Sequence, residues 1–139
     1  MSSRARAISK LFSQFSVLET EVDNVSASAS TLSDRFSNVV YSEKTGTSYT
    51  LALSDSGQIV YANNANANTI TVPPNSSVAF SVGAKIDVVQ TGAGTTTIAA
   101  GSGVTINSAD SALGIGAQYG AATLVKTDTD TWLLIGNLA

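Results

Sequence analysis

A coiled-coil helix followed by an all-β domain is the fold class this sequence predicts, the β part being a small sandwich or barrel of about eight short strands. Two observations predict it. Apolar residues from 8 to 39 recur at alternating steps of three and four; from about Tyr41 this period gives way to short β-branched and aromatic runs separated by Gly, Asn, Asp and Pro. At 139 residues the chain has room for one such domain with an extended arm, but not for two independent cores.

With Ile8 as position a, the a series is Ile8, Phe15, Val22, Ala29 and Phe36, and the d series is Leu11, Leu18, Val25, Leu32 and Val39. The run spans more than the roughly three to four heptads that identify a coiled coil. Outward positions b, c and f are mostly polar, among them Ser9, Lys10, Ser13, Ser16, Thr20, Asp23 and Asn24. A helix packed on its own domain usually carries a wider stripe and rarely runs past about 25 residues without a cap or break. Residues 24–31, NVSASAST, are poor helix formers because Ser and Asn compete for backbone hydrogen bonds. Such a helix frays alone and needs its seam buried by partner chains. The stalk is therefore expected over residues 8–40, about 48 Å long between 8 and 39 at 1.5 Å per residue. The heptad leaves dimer and trimer open: Ile at a with Leu at d leans to dimers, whereas Phe15 and Phe36 at a do not fit that scheme.

After a linker at 41–47, the β domain is expected over 48–139, with strands at 49–53, 58–62, 69–72, 85–90, 95–99, 104–107, 122–126 and 131–135. Asp55-Ser56-Gly57 and Gly92-Ala93-Gly94 read as tight turns, and Asp128-Thr129-Asp130 as the turn of a hairpin with arms TLVK and TWLLI. Pro73 and Pro74 end the third of these strands. Alternation puts Tyr49, Leu51 and Leu53 on one face, and Ile70 with Val72 on one face.

Composition narrows the function classes. Charged residues make up 12% of the chain and hydrophobic ones 43%, against roughly 25% charged for an ordinary soluble protein. The formal charge is −3, and the one basic cluster is Arg4, Arg6 and Lys10, so neither nucleic-acid nor anionic-membrane binding is expected. No apolar run reaches the roughly 18 to 20 residues of a membrane span, and the N-terminus lacks the apolar core of a signal peptide. The expectation is a chain made without classical secretion. Without His or Cys there is no imidazole-activated nucleophile, little basis for a zinc site, and no disulfide.

The remaining catalytic option is a carboxylate pair for glycan hydrolysis, Asp128 with Asp130, whose ordinary reading is a hairpin turn. The Gly-rich stretches QTGAGTTTIAAGSG and GIGAQYG have no strand-to-helix context for a phosphate cradle, and no run supplies the ligands of an EF-hand. The chain is accordingly read as a non-enzyme, with no catalytic residue, metal or cofactor expected. A shallow sugar contact is the other option: Tyr61, Asn63, Asn64, Asn66, Asn68 and Tyr119 would supply it, while a strand tyrosine and a polar loop explain the same residues.

Over about residues 48–138 the order of TVPPNSS, QTGAGTTTI and a terminal TWLLIG resembles a β module found at the end of many bacteriophage fibre and virion structural proteins. The first forty residues lie outside it. The resemblance implies a bacteriophage virion protein, a homotrimeric short fibre whose tip, residues 1–10, anchors on the particle while a β knob faces a host surface. Trimer over dimer rests on this resemblance. Arg4, Arg6 and Lys10 would meet an acidic capsid or tail surface. Expected partners are further copies of the chain, other virion proteins and a host-surface glycan, and the expected location is the virion, assembled in host cytoplasm. The alternative is a trimeric decoration or cement protein on the head.

Overall fold

The computed structural model describes the backbone of residues 2–37 and 40–139, and the side chains of 2–29 and 40–139. These residues form two compact units, one ending before Val40 and one running from Val40 to Ala139. The first is a single helix; the second is a β-rich domain of nine strands in two sheets.

The helix, α1, spans Ser3–Ser37, 35 residues and so about 52 Å. Ser2 starts it: its Oγ accepts a hydrogen bond from Ala5 N at 3.2 Å, satisfying a first-turn donor that has no partner within the helix. Ser13 and Thr20 turn their hydroxyls back on the carbonyls of Ser9 and Ser16, at 3.2 and 3.1 Å, so these polar side chains are absorbed by the helix itself. The side chains of Leu32, Phe36 and Val39, the last three heptad positions, lie outside the described residues.

In the second unit the strands are β1 Tyr41–Lys44, β2 Ser48–Thr50, β3 Ile59–Ala62, β4 Asn68–Val72, β5 Lys85–Gln90, β6 Thr96–Ala100, β7 Thr105–Ser108, β8 Ala121–Asp128 and β9 Thr131–Gly136. The larger sheet has the order β1-β3-β5-β8-β9-β7 and the smaller β2-β4-β6. Strands β1, β3 and β5 are parallel to one another, as are β2, β4 and β6. The chain thus crosses from one sheet to the other and back in three successive coils, β1–β2, β3–β4 and β5–β6, stacked like a short solenoid. The antiparallel hairpin β8–β9 then extends the larger sheet beyond β5, with β7 parallel to β9 at its far edge.

A helix followed by a β-rich domain is as expected, with nine strands in two sheets where about eight were expected. From β1 to β7 consecutive strands alternate between the two sheets, because the turns after β1, β3 and β5 each pass from the larger sheet to the smaller. Asp55-Ser56-Gly57 and Gly92-Ala93-Gly94 are turns, but each joins strands of different sheets, whereas the 128–130 turn does close a hairpin. Two further points differ. Tyr41–Lys44, placed in the linker 41–47, forms edge strand β1, and Leu53 sits in a short 3-10 turn, 58% exposed, instead of sharing the inner face with Leu51.

Strand alternation builds the core between the sheets. Val60, Ile86, Val88, Leu124, Trp132 and Leu134 point inward from the larger sheet, and Leu51, Ile70, Val72 and Ile98 from the smaller. Phe80 meets the Trp132 ring edge-on at 5.4 Å.

Candidate functional site

Every described heptad residue of α1 is exposed. Ile8, Leu11, Phe15, Leu18 and Val22 are each 53 to 55% accessible and Val25 is 68%. Phe12 and Val17 add exposed apolar surface that the strict three-four list omits. Phe12 is at position e, beside the a series, so the stripe is broader there than a two-position seam. The basic residues Arg4, Arg6 and Lys10 are exposed, and the one ion pair among the described residues is Lys85–Asp87 in the other unit. The first turn of α1 holds no acidic residue, so Arg4 and Arg6 stand at the positive end of the helix dipole without compensation.

In the β unit, the coil corners bring Tyr61 and Asn63 together with two residues the sequence did not single out, Tyr41 and Glu43. Parallel pairing sets Glu43 opposite Tyr61. The rings of Tyr41 and Tyr61 stack at 4.9 Å, and Asn63 Nδ2 donates to Glu43 Oε1 at 2.7 Å. The result is an aromatic shelf, Tyr41 being 61% exposed, bordered by an amide and a carboxylate. A planar apolar face next to hydrogen-bonding groups has the chemistry to receive a sugar ring.

Asn64, Asn66 and Asn68 serve the corner instead. Asn64 Nδ2 donates to Thr45 O at 2.6 Å in the coil before it, and its Oδ1 accepts from Asn66 N at 2.8 Å. Asn68 is buried and its Oδ1 accepts from the Thr96 hydroxyl at 2.8 Å. Gln90, also buried, closes the set, with Oε1 accepting from Thr96 N at 2.9 Å. Tyr119 projects from a left-handed residue, φ 65°, and is 76% exposed; its backbone N–H donates to Gln90 O.

Asp128 and Asp130 each accept a backbone hydrogen bond, one local and one from a distant loop: Asp128 Oδ1 accepts from Thr129 N, and Asp130 Oδ1 from Asn75 N, both at 2.7 Å. The second bond leads to a residue the sequence reading passed over. Lys126 is buried, and its Nζ donates to Asn75 Oδ1 at 2.7 Å and Phe80 O at 2.8 Å. Its inward direction was readable from the alternation Ala122, Leu124, Lys126 along the strand.

A second polar group closes the first coil. Tyr49 donates from its phenol to buried Asp55, whose carboxylate also accepts from Ala52 N, and Lys44 Nζ lies 4.0 Å from the Tyr49 ring centre. Burial, then the hydrogen bond to Asp55 and its negative charge, push the Tyr49 phenol up to about 12.

Among the described residues no group of three His, Cys, Asp or Glu is placed to hold a metal ion, and no helix is long and apolar enough to cross a membrane. No family model, curated protein or solved structure matches this chain.

Proposed function

We propose that this chain is a bacteriophage virion structural protein, a trimeric short fibre that docks on the particle by its N-terminal tip and carries its β unit towards a host surface. The observation that carries the reading is the exposed apolar stripe of α1. Each apolar Å² left in water forgoes about 25 cal/mol of burial, and a helix with a Ser-rich middle has little propensity to stand alone. Copies of the same helix cover the stripe at heptad spacing. The broadening at Phe12 supports three chains, because a stripe wider than a and d is covered more fully by two neighbours than by one.

The uncompensated Arg4 and Arg6 support docking of the tip on an acidic virion surface, which would relieve an unfavourable dipole interaction. The Tyr41–Tyr61 shelf with Asn63 and Glu43 supports a glycan contact, and several copies on one particle turn weak contacts into firm attachment.

Sedimentation tests the reading. The native chain sediments as a trimer, and Leu18→Asp combined with Val25→Asp reduces it to monomer while the β unit stays folded. A native monomer sinks the proposal. Deleting residues 1–10 is expected to abolish incorporation into particles; undiminished incorporation removes the anchoring role.

A further inference from the structure

Of the lysines of the β unit, Lys44, Lys85 and Lys126, only Lys126 is buried. Lys85–Asp87 is the one ion pair among the described residues, so the buried amine has no carboxylate beside it to compensate a charge. Its Nζ faces a side-chain amide instead, 2.7 Å from Asn75 Oδ1, with Phe80 O 2.8 Å away and the Trp132 ring centre at 5.9 Å. A C=O bond is about 1.23 Å long, so Nζ lies within about 4 Å of Asn75 Cγ. A shift of under about 1 Å brings it to the roughly 3–3.5 Å at which a nucleophile is poised for attack. Asp130 fixes the amide residue from its other side, Oδ1 accepting from Asn75 N at 2.7 Å. Phe80 and Trp132 are buried and keep water from the amine, whereas Asn75 is only half-buried.

We propose that Lys126 and Asn75 become joined by an isopeptide bond, a covalent tie between strand β8 and the loop after β4, 51 residues apart. The hydrogen-bonded pair is the state from which the bond forms. Nζ bonds to Asn75 Cγ, and the Cγ–Nδ2 bond breaks. Starting from the ammonium, Nζ gives up two protons: one before attack, because only the neutral amine has a free electron pair, and one after the new bond has formed. Both leave on Nδ2, as an ammonium ion. The step thereby carries the charge out of the interior past the half-buried Asn75. A neutral amide N–H remains where the amine stood, able to donate to Phe80 O. The same buried rings that shield the amine keep water from the product, which opposes hydrolysis. The chain has no cysteine, so no disulfide could supply such a tie. The proposal needs only the folded β unit of one chain and is independent of the helix seam and the glycan contact.

Mass spectrometry of the denatured full-length chain tests the bond. The native chain is expected to be lighter than its sequence by about 17 Da, the mass of ammonia, and digestion should release one branched peptide that contains both Asn75 and Lys126. Lys126→Arg and Asn75→Ala should each restore the full mass. A native chain of full mass overturns the proposal. So does a light chain whose peptides around residues 75 and 126 separate on digestion. A deficit that survives Lys126→Arg overturns it too, because an asparagine that closes on its own backbone loses the same ammonia. The native peptide map decides the matter even where a variant fails to fold.

Discussion

The phenol of Tyr49 donates a 2.7 Å hydrogen bond to the buried carboxylate of Asp55, and the same carboxylate oxygen accepts from Ala52 N at 2.8 Å. With Lys44 over the ring, this group covers the exposed end of the first coil, next to core residue Leu51. Asp55 serves two donors, so Asp55→Ala orphans both and is expected to cost about 2–3 kcal/mol, whereas Tyr49→Phe loses one bond and costs about 1 kcal/mol. Urea unfolding near neutral pH measures both.

The same pair carries a pH dependence. The Tyr49 phenol moves from 10.0 in the unfolded chain to about 12 when folded, so the protonated form is the one the fold favours. Its contribution is complete below pH 10 and is lost as pH rises through 12. The stability difference between the native chain and Tyr49→Phe should accordingly shrink between pH 10 and 12. A difference that stays constant across that interval removes the link between the phenol's titration and stability.

Lys126 joins parts of the domain distant in sequence. Its Nζ bridges Asn75 and Phe80, and Asn75 is held from its other side by Asp130. Lys126→Met keeps the length of the stem but leaves Asn75 Oδ1 and Phe80 O without their donor, an expected loss of about 2–3 kcal/mol. Lys126→Met and Asp130→Ala share the loop at Asn75. Their combined effect should therefore differ from the sum of the single effects by about 0.5 kcal/mol or more in a double-mutant cycle.

Strand positions were largely legible because each strand announces itself by alternation and flanking turn residues. Leu51, Ile70, Val72 and Trp132, all expected in the core, are buried there. Tyr41–Lys44 was not legible: YSEK has two charges and no aliphatic residue, and it is a strand only because β3 pairs with it. Stacking order was hidden for a different reason. A half-buried strand alternates in the same way whether its neighbour is parallel or antiparallel, and the turn Gly92-Ala93-Gly94 looks alike in a hairpin and at a coil corner. Of the sugar-contact residues, Tyr61 and Asn63 come together, but nothing in the sequence distinguishes Asn63 from Asn64 and Asn66, which the corner uses.

The corner also explains the two glycines of QTGAGT. Gly94 N donates to Asn64 O at 2.9 Å, and a Cβ on Gly94 would stand 2.0 Å from Asn66 O; on Gly92 it would stand 2.3 Å from Asn64 N. Both contacts are with backbone, so the coils must separate to admit a methyl group. Gly94→Ala is expected to cost about 2–3 kcal/mol by overpacking, seen as a lowered urea midpoint. Gly83→Ala is the control: it has open space and φ of 88°, so it costs only about 1 kcal/mol, from the left-handed backbone alone.

Neighbouring residues Asn24 and Val25 of α1 separate helix propensity from seam burial. Asn24 is at outward position c and Val25 at seam position d, both exposed in the isolated chain. Asn24→Ala replaces a poor helix former with the best one and should stabilise each helix by about 0.5 kcal/mol. Val25→Ala also raises propensity, yet it removes apolar surface that partner helices would bury, a loss of about 1–2 kcal/mol per chain once associated. The two substitutions therefore act in the same direction on a lone helix and in opposite directions on an associated one. Thermal melting over a range of protein concentrations is the measurement. The native midpoint should rise with concentration, Asn24→Ala should raise it further and Val25→Ala should lower it. If both substitutions raise the midpoint, Val25 faces solvent and the seam is not used.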